Sequence, residues 1–120
     1  MNINEYQLKA HSFADYTLPV INVPEEDNVV VADFCYPALG LAEEAGEVSG
    51  KFAKAIRDCH GRIDSERKEA IVKELGDVCW FVAELCTIID VSLESVMQKN
   101  IDKLTSRKER NVIHGSGDNR

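Results

Sequence analysis

Apolar residues recur at helical spacing along most of the chain, and the pattern predicts four helices. The first covers about residues 3–15, with Tyr6, Ala10 and Phe13 on one face. The second starts near Pro37, since proline suits a first helical turn, where its missing N–H would go unpaired anyway. It carries Leu39, Leu41, Val48, Phe52, Ala53 and Ile56, and stops near residue 60, where Gly61 suits a left-handed cap. The third runs from about 66 to 89 after a polar turn. Ser92 then reads as an N-cap for a fourth, about 93–109. Between the first two helices lies a connector, residues 16–33, punctuated by Pro19, Pro24 and Asp27-Asn28. Prolines at that density argue against a helix there. Val29, Val30 and Val31 either form a short extended piece or pack the loop down.

The centre of the third helix (Val78, Trp80, Phe81, Val82, Leu85, Ile88, Ile89) is apolar on most of its circumference. Such a helix is buried on several sides, and 120 residues leave little protein to do that. The expectation is an all-α, four-helix bundle-type domain assembled as a homo-oligomer. It comprises an N-terminal helix and connector (1–32), core helices (33–110) and a Gly/Ser/Asp/Asn-rich tail (111–120).

Length and composition narrow the class. A chain of 120 residues makes one domain. Acids outnumber bases 21 to 14, for a net charge of −7, which argues against nucleic acid as a partner. No stretch approaches the roughly 18 apolar residues of a membrane span. Cys35, Cys59, Cys79 and Cys86 form no CxxC pair and no zinc spacing with the three histidines. Cys79 and Cys86 read as small buried thiols, and a reduced, cytoplasmic chain follows.

Two short words echo each other. Glu44-Ala45-Gly46-Glu47-Val48 and Glu74-Leu75-Gly76-Asp77-Val78 both read Glu-x-Gly-acid-Val. Residues i and i+3 share a helix face, so Glu44 converges with Glu47 and Glu74 with Asp77. Like charges at that spacing cost a helix a few tenths of a kcal/mol, and each glycine costs roughly 1 kcal/mol relative to alanine. Paired acids usually sit on a solvated face. A doubled pair inside the two most apolar helices points instead to four carboxylates facing one another around a counter-ion. Oxygen-only donors suit Mg²⁺, with Mn²⁺ as a substitute. A di-iron bundle wants Glu-x-x-His, which none of His11, His60 and His114 completes. The two glycines fall away from the acid face, where another helix could approach closely. Lys99, Lys103 and Arg107 form a basic stripe on the fourth helix, with Asn100 beside it. That stripe offers a seat for polyphosphate, or a solvated helix end that favours the helix dipole.

Glu43-Glu44-x-x-Glu47, 26 intervening residues and Glu74-x-x-Asp77 resemble the EExxE…ExxD signature of MazG-like nucleotide pyrophosphohydrolases. These are all-α NTP pyrophosphatases. The flanking words Gly40-Leu41-Ala42 and Lys73-Glu74-Leu75-Gly76-Asp77-Val78 fit, as does Asn100-x-x-Lys103-Leu104-x-x-Arg107. The tail Gly115-Ser116-Gly117-Asp118-Asn119-Arg120 looks like the short single-domain branch. The similarity covers about residues 33–120. It implies Mg²⁺-dependent cleavage of nucleoside triphosphates between the α and β phosphates, in nucleotide-pool cleaning, by a homodimer or homotetramer. By resemblance Glu44, Glu47, Glu74 and Asp77 bind the metals, and Asn100, Lys103 and Arg107 hold the phosphates. Glu43 is the candidate to orient a water or take its proton. Trp80 and Phe81 stand near enough to line a base pocket, but in so apolar a helix they read as core. A phosphoribosyl-ATP or alarmone pyrophosphatase and a non-catalytic, metal-stabilised helical binding module are the competing readings.

Overall fold

A computed structural model describes residues 1–16 and 31–117, which form four helices and, among the described residues, no strand. They are α1 (Ile3–His11), α2 (Val31–Cys59), α3 (Ser65–Ile88) and α4 (Leu93–Glu109). No helix among the described residues is long and apolar enough to cross a membrane.

Local chemistry sets the ends. Asn2 and Glu5 close a capping box on α1. Asp64 caps α3 by accepting from the Arg67 N–H at 2.9 Å, and Ser92 caps α4 through Ser95. Gly61 takes the expected left-handed conformation (φ 77°), and His60 before it does so too (φ 53°). Helix α1 is shorter than the pattern predicts. It stops at His11, and Phe13 stands exposed rather than on the packed face. The Trp80 indole donates to the Ala10 carbonyl at 3.0 Å, and Ser12 turns its hydroxyl back onto Lys9.

Pro37 does not open α2. The helix begins six residues earlier, at Val31, and carries Pro37 in its interior. An interior proline forfeits one backbone bond and costs about 3 kcal/mol. Here its ring is fully buried, and that burial offsets the loss. Val31 of the valine run is therefore helical, while residues 29 and 30 lie outside the described residues.

Helices α2 and α3 run antiparallel and pack together closely, with Gly40 against Phe81 at one end of their contact and Lys51 against Glu74 further along. Helix α1 lies across the C-terminal half of α3. Gln7 ties it down by donating to the Val91 carbonyl (2.9 Å) and the Thr87 hydroxyl (3.2 Å) and accepting from the Leu93 N–H (2.7 Å). Ala10, Ala83, Cys86 and Leu93 form the core beneath it.

Helix α1 covers only part of the apolar half of α3: Phe81 and Cys86 are buried, Val78, Trp80, Val82, Leu85 and Ile88 are half-buried, and Ile89 is exposed. Further apolar surface is exposed at Leu39, Phe52 and Ile56 on α2, Val72 and Leu75 on α3, and Met97, Ile101 and Leu104 on α4. Helix α4 does not close a bundle. Among the described residues it touches α1 and α3 but not α2, and residues 96–106 are all exposed. The radius of gyration, 18.2 Å, exceeds the roughly 14 Å of a compact chain this long.

The close helix approach uses a glycine other than those of the echoed words. Nothing lies within 4 Å of a Cβ built on Gly46 or Gly76, whereas one on Gly40 would meet the Phe81 ring at 2.2 Å. Gly40→Ala is therefore expected to lower stability by about 1–3 kcal/mol, as overpacking does. Urea unfolding measures it; a gain in stability would mean that the ring yields freely.

Candidate metal and phosphate site

The face of α2 turned to α3 carries Pro37, Gly40, Glu44, Lys51 and Ala55 at helical spacing. Glu44 meets Glu74 and Asp77 of α3 there, each offering an oxygen within 4.8 Å of the other two. Glu44 and Glu74 are half-buried and Asp77 is exposed. Loss of hydration raises the Glu44 carboxyl above its usual range, and Asp77, Glu74, Glu43 and Glu47 raise it further by repulsion. Such a cluster is poor company for itself and a good host for a hard cation. Oxygens around one Mg²⁺ stand at most about 4.2 Å apart, given bonds near 2.1 Å. Small side-chain rotations bring these three to that spacing, so the donor set fits.

Three of the four acids expected at a metal are brought together. Glu47 is turned aside: it is exposed, and its carboxylate lies 3.8 Å from Lys51 Nζ. Glu43 is exposed beside the cluster. Among the described residues, α4, which carries Asn100, Lys103 and Arg107, makes no contact with α2 and little with α3. Asn100 and Lys103 lie on the exposed length of α4. Arg107 is only 6% exposed, and its Nη2 donates to the Gly117 carbonyl at 3.3 Å. The tail reaches it because α4 ends in a Schellman-type turn: Asn111 is left-handed (φ 56°) and the Val112 N–H bonds the Arg107 carbonyl.

Pattern reading missed two charged residues. Lys51 donates to Glu74 Oε1 at 2.8 Å, and that hydrogen bond, with the attraction of Glu74, pushes its ammonium above the usual lysine range. Its place was readable, seven residues after Glu44 and four after Glu47. Glu84, fully buried on α3, accepts from the Tyr16 hydroxyl at 3.2 Å and has both oxygens 3.3 Å from His11 Nδ1. Nothing in its neighbourhood of the sequence signals that burial, since both partners lie some 70 positions away.

Trp80 and Phe81 are engaged in packing. Their rings meet edge to face at 4.8 Å, and Phe81 also faces Tyr36 at 5.9 Å. Cys86 is buried as expected, and burial raises its thiol pKa. Cys79 is exposed instead, because it turns away from α2 into an apolar cleft of about 450 Å³ shared with Tyr6, Val82, Leu93 and Met97.

The family model of the MazG nucleotide pyrophosphohydrolase domain matches residues 37–112. Gene 37 protein of Mycobacterium phage L5 is 42% identical over 120 residues, the full length of both chains. The uncharacterized protein YvdC of Bacillus subtilis (strain 168) is 37% identical over 75 residues, 58% of this chain and 70% of that protein. No solved structure matches.

Proposed function

Because the chain belongs to the MazG nucleotide pyrophosphohydrolase family, we propose that it hydrolyses nucleoside or deoxynucleoside triphosphates to the monophosphate and pyrophosphate, as a nucleotide-pool cleaning enzyme. The observation that carries the reading is the meeting of Glu44, Glu74 and Asp77 from two helices within 4.8 Å. When Mg²⁺ or Mn²⁺ is bound, it neutralises the triphosphate and acidifies a water. Glu44, Glu74 and Asp77 would hold it, and Glu47 would join by rotating away from Lys51. Glu43, exposed beside them, orients the attacking water or takes its proton.

The cations for the polyphosphate come, in this reading, from a second copy. Helix α4 carries Lys99, Lys103 and Lys108 next to exposed Met97, Ile101 and Leu104. The acidic face of α2 and α3 is bordered by exposed Phe52, Val72 and Leu75. Charge and apolar surface therefore match between copies, and two-fold pairing would satisfy both at once.

The test is turnover of the eight common nucleoside and deoxynucleoside triphosphates with Mg²⁺, with Mn²⁺ and with EDTA. Hydrolysis that needs the metal supports the reading. Hydrolysis indifferent to EDTA would remove the carboxylate cluster from the reaction.

A further inference from the structure

Lys51 takes no part in the signature of paired acids, yet it is the cation that the fold presses into them. Its Nζ lies 2.8 Å from Glu74 and 3.8 Å from Glu47. The Lys51 and Glu74 side chains are only 27% and 18% exposed, so solvent and salt screen the pair less than a surface ion pair. We propose that Lys51 is the resident counter-ion of the metal-free cluster and a phosphate ligand of the loaded site. Its ammonium rests on Glu74 until that carboxylate is taken by a divalent cation, and it then turns to the substrate's polyphosphate. The second half rests on the nucleotide pyrophosphohydrolase reading; the first does not.

Three physical points carry it. An ammonium and a divalent cation sharing one carboxylate repel each other at contact distance, so occupancy by one disfavours the other. Lysine is a compact charge on a flexible stem with three rotatable donors, and it changes partner without moving the backbone. Rooted on the face of α2 that carries Glu44, seven residues away, the released ammonium stays beside the site. Among the described residues, helix α4, which carries the basic stripe, makes no contact with α2. Lys51 is thus placed to meet an anion held on Glu44, Glu74 and Asp77.

The experiment compares wild type, Lys51→Met and Lys51→Arg, with circular dichroism as a check on folding. Mn²⁺ is titrated without nucleotide and followed by electron paramagnetic resonance. Inorganic triphosphate is then titrated into Mn²⁺-saturated protein by calorimetry. Lys51→Met is expected to bind Mn²⁺ about three- to fivefold more tightly, having lost a competing cation. It should bind triphosphate about tenfold more weakly, having lost a charged hydrogen bond. Lys51→Arg should restore triphosphate binding. Unchanged or weaker Mn²⁺ binding by Lys51→Met overturns the counter-ion role, and undiminished triphosphate binding overturns the ligand role. If both shifts occur while wild type turns over no nucleotide, the enzymatic reading fails and the assignment of Lys51 stands.

Discussion

Glu74→Gln is expected to lower metal-dependent nucleotide turnover by more than about 100-fold, with helix content and assembly size as in wild type. Changes to groups that merely orient a metal's ligands already cost about 10–100-fold, and Glu74 is proposed as a ligand itself. The substitution keeps the shape and the oxygen that accepts from Lys51 at 2.8 Å, while removing the charge that would hold the cation. The fold has little reason to suffer. Glu74 is half-buried at the helix pair, and the packing there belongs to Gly40, Phe81 and Ala55. Steady-state rates, circular dichroism and light scattering read the three quantities together. A variant within a few-fold of wild type would exclude Glu74 from the metal site.

Mixing Glu74→Gln with Lys103→Ala is expected to recover activity that neither variant has alone. If each site combines the acids of one copy with the α4 cations of another, a mixed dimer contains one intact site and one doubly altered site. Random reassociation makes half the dimers mixed, so the recovered rate approaches about a quarter of wild type. If both groups belonged to one chain, no mixture would contain an intact site. The geometry favours recovery, since among the described residues α4 stands exposed over 96–106, makes little contact with α3, which carries Glu74, and none with α2. Co-refolding the two variants at equal concentration, followed by a turnover assay, makes the measurement. A mixture as inactive as its parents would put the two groups in one chain.

Much of the architecture is legible in the residues because it is local. Helix α4 runs over the predicted 93–109, and α3 departs from its predicted range by one residue at each end. Ser92 and the apolar period suffice to place α4. The acids at i and i+3 share a face wherever the chain goes, so Glu74 could be paired with Asp77 in advance, while Glu44 joins them through the packing of α2 on α3. What escapes is decided by partners distant in sequence. Pro37 reads as a helix start, yet it lies fully buried inside α2. Gly46 and Gly76 draw the eye by repetition, but the Phe81 ring requires Gly40. Lys51 and Glu84 are ordinary helical charges until Glu74, Tyr16 and His11 arrive beside them. An apolar α3 has two physical solutions, cover by its own chain or by another. The pattern alone does not choose; α1, tethered by Gln7, supplies part of that cover from within the chain.

The most direct measurement is the identity of the products. Wild-type protein, Mg²⁺ and one deoxynucleoside triphosphate that it turns over are resolved by anion-exchange chromatography, with Glu74→Gln in parallel. Equimolar monophosphate and pyrophosphate are expected from wild type and almost none from the variant. Diphosphate and phosphate, or equal product from both proteins, would contradict the proposed function.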